Sequence, residues 1–179
     1  MVYVMLADGF EEIEALAVVD ILRRGEVEVK MVSVYDQDKV IGAHDIAIVP
    51  DIAFSELVKD ADMIVLPGGI PGTPNLHSHG ALVELLRDEY EKGTYIAAIC
   101  AAPMILGEMD LLHGKKATCY PSYENHLKGA LCSTDKVCVD GNVITSRGAG
   151  TAHDFAFTLL SLLKSKEKSD EICGAMLYD

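Results

Sequence analysis

The sequence has few basic side chains and no long apolar stretch. Of its 179 residues, 15 are Lys or Arg and 28 are Asp or Glu, which gives a formal net charge of −13. Such an acidic chain repels phosphate groups, which argues against nonspecific binding to nucleic acids or anionic membranes. Half of the residues are hydrophobic, but no uninterrupted run approaches the roughly 18 apolar residues that span a bilayer. A transmembrane helix is therefore not expected.

The first residues also lack the features of a secretory signal. The chain begins with an apolar run, has no basic residue before it, and reaches an acid at Asp8, whereas a signal peptide starts with a basic region. We read this run as the first strand of the fold. A cytoplasmic protein is expected.

The cysteines do not form a recognisable disulfide or zinc-binding pattern. There are five of them, an odd number, and no C-x-x-C pair occurs, which argues against a complete disulfide set and against a zinc ribbon. They are Cys100, Cys119, Cys132, Cys138 and Cys173. We expect reduced thiols, each either a small buried hydrophobe or a reactive nucleophile.

Short apolar runs alternate with segments of helical periodicity. Strands are predicted at Val2–Leu6, Val27–Val34, Met63–Leu66, Tyr95–Ile99 and Val143–Thr145. Helices are predicted at about Glu11–Arg24, Leu82–Glu91, Ala101–Glu108 and Thr151–Leu163, with a polar-faced segment after Lys164 and short strands or a hairpin between Asp36 and Ala53. This alternation predicts an α/β fold with a parallel sheet between helices, in a single domain covering residues 1–179.

One cysteine lies where an apolar strand runs directly into a helix. Cys100 follows Tyr95–Ile99 and is flanked by small residues, among them Ala98 and Ala102. Ligands of open α/β sheets bind at this edge of the sheet, and the arrangement resembles the G-x-S-x-G turn that exposes a nucleophile. A helix N-terminus lowers the pKa of a thiol, so we expect Cys100 to be reactive and largely thiolate. The alternative is a buried thiol used as a small hydrophobe.

A glycine-rich turn follows the strand Met63–Leu66. Gly68 and Gly69 leave backbone N–H groups open to a ligand and can form half of an anion hole. The alternative is an ordinary turn, since glycines after a strand look the same in either case. No Gly-Lys-Ser/Thr follows, which excludes a Walker phosphate loop.

Three acids open the first predicted helix. For Glu11 and Glu12, a surface role as partners of the helix dipole is sufficient. At 100° per residue, Glu14 shares a face with Val18 and Ile21, so its carboxyl points toward the buried side. A buried, protonated Glu can donate a hydrogen bond to a thiolate, but periodicity alone does not decide between this role and a structural one.

The remaining polar candidates have weaker signals. His77 and His79 have the residue type of metal ligands, but no third ligand is near them in the sequence, and caps of a polar loop explain them better. The segment Thr145–Thr151 has the pattern of a strand end, a glycine turn and a helix N-cap. His126 and His153 have no definable partner in the sequence. No metal is expected.

Four segments together resemble the ThiJ/PfpI superfamily, and most closely its branch of parkinsonism-associated, DJ-one-like protein deglycases. They are Asp8–Glu14, Leu66–Gly69, Ala97–Pro103 and Thr145–Thr151, which occur in the family's order and at similar spacings over nearly the whole chain. The resemblance implies a flavodoxin-like three-layer sandwich, related to class I glutamine amidotransferases, that needs no cofactor and commonly forms a homodimer. It also implies site roles: Cys100 as the oxidisable nucleophile, Glu14 as a protonated carboxyl bonded to it, and the backbone amides of Gly69 and Ala101 as the anion hole.

The sequence departs from the family pattern at several positions. A histidine that some members carry before a proline is replaced by Tyr120, which we expect to form a wall of the site, and His126 lies six residues later. Protease-like members have a histidine directly after the cysteine, where this chain has Ala101, so peptidase activity is not expected. An interface cysteine and a nearby arginine of the human-type proteins are replaced by Val49 and His44.

Three functions fit these residues. The first is a slow cysteine enzyme of the glyoxalase or deglycase type, which attacks a reactive carbonyl such as methylglyoxal. The second is a redox sensor in which peroxide oxidises Cys100 to a sulfinic acid that Glu14 stabilises. The third is a noncatalytic, chaperone-like dimer. A homodimer is expected mainly from the resemblance, and Ala15, Leu16 and Val19, which widen the apolar face of the first helix, support it.

Overall fold

Seven strands form the central sheet of the molecule. The computed structural model describes residues 1–58 and 60–178. Within these ranges the strands are β1 (Val2–Leu6), β2 (Val29–Ser33), β3 (Val40–Ile41), β4 (Ala47–Ile48), β5 (Ile52–Ala53), β6 (Met63–Leu66), β7 (Tyr95–Ile99), β8 (Lys116–Ala117), β9 (Leu131–Cys132), β10 (Val137–Asp140) and β11 (Val143–Ser146). The sheet order is β10-β11-β7-β6-β1-β2-β5. Among the described residues, only β10 and β11 pair antiparallel in this sheet; the other neighbours are parallel.

The helices cover both faces of the sheet. They are α1 (Glu12–Arg24), α2 (Gly72–Ser78), α3 (Gly80–Glu91), α4 (Pro103–Glu108), α5 (Ala152–Leu163) and α6 (Lys166–Ala175). None of these helices is both long enough and apolar enough to span a bilayer. The predicted parallel sheet between two layers of helices is thus confirmed.

Strand β1 shows how one sequence run serves two cores. Its side chains alternate across the sheet, so Val4 and Leu6 pack on the side of α1 and α5. Tyr3 and Met5 pack on the opposite side, with α3 and α4. Because both faces are covered, every residue of β1 is buried, which is why the run is apolar throughout rather than alternating.

Several element boundaries differ from the sequence prediction for local physical reasons. Helix α4 begins at Pro103 rather than Ala101, since a turn separates it from Cys100, and proline fits the first helical position well. Helix α2 was not predicted, because Gly, Thr, Pro and Asn form helices poorly. Strand β10 was missed as well, although Gly141–Asn142 supplies the two-residue turn of its hairpin with β11.

Of the three α1 residues predicted to widen an apolar face for a dimer, two lie in the interior, whereas Leu16 is half-buried. Ala15 and Val19 are buried in the core of their own chain, where α1 packs against α5. The helix is apolar over much of its circumference because α5 covers one side and the sheet covers another. The exposed apolar residue at the start of α1 is instead Ile13, at 52% exposure.

Candidate active site

Cys100 occupies a strained turn between β7 and α4. Its φ is +64°, in the left-handed region that residues other than glycine seldom adopt. Neighbouring segments hold this conformation, because the Cys100 N–H donates to Ser146 O at 3.0 Å and the Tyr120 N–H donates to Cys100 O at 2.8 Å. Strain that is held in place by its surroundings is typical of functional positions, and a sharp strand-to-helix turn of this kind exposes a nucleophile.

Two backbone amides face the sulfur of Cys100. The N–H groups of Gly69 and Ala101 act on the sulfur in the direction that lowers the pKa of Cys100 and favours the thiolate. Gly69 has a φ of +93°, and a Cβ there would lie 2.4 Å from Gly9 O, so only glycine fits this position. The structure therefore brings together the two residues predicted as an anion hole. Their catalytic role stays a prediction.

Glu14 lies entirely within the interior, on the side of α1 that faces Cys100. Its Oε2 accepts the Gly68 N–H at 2.8 Å, whereas its Oε1 is buried with no hydrogen-bond partner among the described residues. Burial raises the pKa of Glu14 to about 7, more than the hydrogen bonds from Gly68 and Cys100 lower it. The carboxyl group therefore still holds its proton in part of the molecules at neutral pH.

A missing side chain at Gly68 allows the carboxyl and the thiol to approach each other. A Cβ on this residue would lie 2.6 Å from Cys100 Cβ and 2.7 Å from Glu14 Oε2. Neither atom belongs to a freely moving side-chain end, since both residues are held by hydrogen bonds and packing. The sequence pattern indicates this turn for its N–H groups, but the absence of a side chain on Gly68 matters as much.

The expected lowering of the Cys100 pKa by the helix N-terminus is not what the structure shows. Burial, followed by the negative charge of Glu14, raises the pKa of Cys100 to about 12 and outweighs the amides of Ala101 and Gly69. The two groups titrate as one unit. Above pH 7 the unit holds one proton, and the thiolate forms in those molecules that carry this proton on Glu14.

Tyr120 stands beside this pair at the surface. Its side chain is 51% exposed, and its ring atom Cδ2 would lie 3.3 Å from a Cβ placed on Gly148. Tyr123 packs edge-on against it, with ring centroids 6.4 Å apart. His126, in contrast, is 3.2 Å from Glu108. A Cβ on Gly148 would also lie 3.9 Å from Glu14 Oε1, so Tyr120 lies near the buried carboxyl. Its role as a wall of the site stays a prediction, and His126 has a different partner.

The surface role assigned to Glu12 from the sequence is wrong. Glu12 is only 4% exposed, and its two oxygens accept the backbone N–H and the Nδ1 of His44, each at 2.7 Å. Burial opposes ionisation, but the bonds from His44 prevail and lower the pKa of Glu12. The contact joins α1 to the loop between β3 and β4, 32 residues away, and no local pattern predicts it.

Three further polar groups have structural roles. Glu11, Glu12 and His44 place potential metal-binding atoms within 4.8 Å of one another, but the hydrogen bonds of Glu12 already account for this cluster. His79 caps α3, since its Nδ1 accepts the Leu82 N–H at 3.2 Å. The hydroxyl of Thr151 bonds to Ser146 and Gly148 rather than capping α5.

In competition for iodoacetamide just above pH 7, where Cys100 and Glu14 together hold a single proton, Cys100 should be alkylated before the other four thiols. Cys119 and Cys138 are buried and Cys132 is exposed, but only Cys100 has amides and a proton-accepting carboxyl at its sulfur. Peptide mapping after partial labelling measures the order. Faster labelling of Cys132, the freely accessible thiol, would show that exposure and not the site controls reactivity.

Comparison with known proteins places this geometry in a family. The DJ-1/PfpI family model matches residues 1–162. Protein DJ-1alpha of Drosophila melanogaster is 40% identical over 179 residues, covering 98% of this chain and 82% of that protein. Protein DJ-1 homolog A of Arabidopsis thaliana is 40% identical over 181 residues, and the match covers 98% of this chain but only 46% of that longer protein. Glutathione-independent glyoxalase DJR-1.2 of Caenorhabditis elegans is 34% identical over 168 residues, 90% of this chain and 87% of that protein.

Solved structures confirm the predicted fold. The crystal structure of Drosophila melanogaster DJ-1beta superimposes with a TM-score of 0.94 at 36% identity, covering 99% of this chain and 97% of that one. Oxidized Toxoplasma gondii DJ-1 superimposes with a TM-score of 0.95 at 35% identity, again covering 99% and 97%. This likeness agrees with a flavodoxin-like fold related to the class I glutamine amidotransferases. The chain belongs to the DJ-1/PfpI family, on its DJ-1-like branch.

Proposed function

We propose that the protein is a cofactor-independent cysteine enzyme that converts reactive 2-oxoaldehydes such as methylglyoxal to hydroxy acids, with a protective role under carbonyl stress. The observation that carries this proposal is the pairing of Cys100 with a buried carboxyl, Glu14, whose pKa is raised to about 7. A group with this pKa can give and take a proton at neutral pH. The relative named a glutathione-independent glyoxalase supports the same reaction class.

The proposed reaction uses one nucleophile and one proton carrier. The Cys100 thiolate adds to the aldehyde carbon, and the proton on Glu14 passes to the aldehyde oxygen to give a hemithioacetal. The Glu14 carboxylate then removes the hydrogen from that carbon and returns a proton to the neighbouring carbonyl carbon, while the hydroxyl proton of the hemithioacetal moves to the oxygen of that neighbouring carbon. A thioester of the hydroxy acid results. Water hydrolyses it, releasing lactate and the thiol.

The anion hole has a defined task in this scheme. The backbone N–H groups of Gly69 and Ala101 face the sulfur, where they stabilise the thiolate before attack and lie next to the oxygen that becomes charged during thioester hydrolysis. With Tyr120 in place of a histidine, no second acid or base of that kind stands beside Cys100 among the residues that the structure describes. We therefore expect a slow enzyme. The same nucleophile can release early adducts of methylglyoxal on amines and thiols, which is the deglycase form of this activity.

The proposal is tested by following lactate formation from methylglyoxal without glutathione. Wild type and Cys100→Ser are assayed side by side, with melting temperatures to confirm that both are folded. Turnover in wild type that is lost in the variant supports the enzyme. Equal lactate formation in both would refute the role of Cys100.

One observation favours a second function, a redox sensor. The same two amides and Glu14 that bind a thiolate also suit the oxygen atoms of a sulfinic acid on Cys100, and a structural relative is described as oxidized. Intact mass after graded peroxide distinguishes this function. Selective gain of oxygen on Cys100, in a protein without measurable turnover, would favour the sensor over the enzyme.

We also propose a homodimer, formed by exposed apolar residues at the start of α1 and on the neighbouring hairpin. Ile13, Ile46 and Val49 are 52%, 51% and 65% exposed, and they lie at the start of α1 and on the β3–β4 hairpin that Glu12 joins to it. A stable two-fold interface buries roughly 800 Å² per partner.

The proposed compartment stays the cytoplasm, since all five cysteines are free thiols.

Light scattering at low micromolar concentration should give twice the mass of one chain. Val49→Glu should lower this mass toward that of a monomer, because a charge is costly to bury at an apolar interface. Val139→Glu, on the edge strand β10 and 45% exposed, is the matched control and should stay dimeric. A wild-type mass near that of one chain, unchanged on concentration, would exclude the dimer.

A further inference from the structure

Glu11 joins the start of α1 to the glycine turn of the site. Its Oε2 accepts the Glu14 N–H at 2.7 Å, and its own N–H donates to Gly68 O at 2.9 Å. The Gly68 N–H in turn donates to Glu14 Oε2 at 2.8 Å. Three hydrogen bonds therefore form a closed ring of three residues that fixes the Glu14 carboxyl relative to the turn.

The main chain of Glu11 also sets the position of the anion hole. A Cβ on Gly69 would lie 2.5 Å from Glu11 N, so the turn packs directly on this residue. The Gly69 N–H faces the Cys100 sulfur. Any shift of Glu11 would therefore move both the carboxyl and an amide that serve the thiol.

The charge of Glu11 is held close to Glu14. Its side chain is 13% exposed, and its nearest ion-pair partner among the described residues is His44, whose Nδ1 lies 3.9 Å from Oε1. The charged or titratable groups around Glu11 are thus Glu14, Glu12 and His44, and His44 is already bonded to Glu12. After burial, the charge of Glu11 is the other influence that raises the pKa of Glu14.

We propose that Glu11 is a positioning residue for the reactive pair, which holds Glu14 and the Gly68–Gly69 turn against Cys100 and keeps the shared proton on Glu14. This inference rests on the proposed function only in treating Cys100 and Glu14 as the reacting groups. Negative charge next to a carboxyl disfavours its ionised form. A proton retained on Glu14 leaves more of the thiol as thiolate.

The experiment separates the charge of Glu11 from its role in the helix cap. Glu11→Gln keeps an oxygen that accepts the Glu14 N–H but removes the charge. Glu12→Gln is the matched control, because it removes a charge from the next residue, whose carboxylate bonds to His44. The Glu14 titration is followed by carbon NMR of the carboxyl group in a Cys100→Ser background, where no thiol titrates beside it.

We expect Glu11→Gln to lower the Glu14 transition by about half a pH unit, while Glu12→Gln leaves it unchanged. In the protein with Cys100 intact, alkylation of this thiol above neutral pH should slow about threefold in Glu11→Gln, in proportion to that shift. An unshifted transition in Glu11→Gln, or an equal shift in Glu12→Gln, would overturn the proposal. A lower melting temperature without a shift would leave only a helix cap, which also overturns it.

The titration is independent of enzyme activity. If no lactate forms but the transition moves as expected, the proposed reaction fails and the positioning role stands. If lactate forms and the transition does not move, the proposed reaction stands and the positioning role fails.

Discussion

Replacing Glu14 by glutamine should lower methylglyoxal turnover by about 10²-fold or more, with little change in melting temperature. The glutamine oxygen can still accept the Gly68 N–H, which Glu14 accepts at 2.8 Å, and its NH₂ group can donate to the sulfur. The amide cannot carry a proton, and general acid–base catalysis typically contributes about 10²- to 10⁴-fold. Steady-state lactate formation and thermal unfolding measure the two effects.

Glu12→Gln is the control for this change. Glu12 is also a buried acid at the start of α1, but it bonds to His44 and lies outside the reactive pair. Its substitution should leave turnover within a few-fold of wild type. A Glu14→Gln protein as active as wild type would remove Glu14 from the mechanism.

Gly68→Ala should abolish turnover and destabilise the fold. The added methyl would lie 2.6 Å from Cys100 Cβ and 2.7 Å from Glu14 Oε2, much closer than real Cβ contacts, so the carboxyl and the thiol must separate. Overpacking of this kind costs about 1–3 kcal/mol of unfolding free energy. Chemical denaturation gives the stability, and the lactate assay gives the turnover.

Gly80→Ala provides a matched glycine-to-alanine control. Gly80 begins α3 and has no atom within 4 Å of an added Cβ, so the substitution should be neutral or slightly stabilising. Its turnover should equal that of wild type. Normal turnover in Gly68→Ala would mean that the close contact of Glu14 with Cys100 is not needed for the reaction.

The sequence predicts those parts of the site that depend on neighbours along the chain. The apolar run Tyr95–Ile99 and the small residues around Cys100 indicate a strand, a tight turn and a helix, and this is the local arrangement found. Periodicity also assigns Glu14 to the buried face of its helix, where it lies. These features follow from backbone geometry and from the spacing of apolar side chains.

The remaining features of the site depend on contacts between distant segments. Glu14 meets Gly68 across 54 residues, and Glu12 meets His44 across 32. No spacing rule relates such positions. The hydrogen bond between Glu14 and Gly68, and the bond between Glu12 and His44 in the loop between β3 and β4, are therefore visible only in three dimensions. The predicted lowering of the Cys100 pKa is wrong for the same reason. Burial and the charge of Glu14 raise this pKa more than the amides at the sulfur lower it.

The most direct test of the coupled pair is the pH dependence of Cys100 alkylation in wild type and Glu14→Gln. In wild type, the rate should rise through a transition near pH 7, where Glu14 and Cys100 together lose their first proton. In Glu14→Gln this transition should disappear, since only the buried thiol can then titrate. The same transition near pH 7 in both proteins would contradict the account, because it would show that the thiol ionises independently of Glu14.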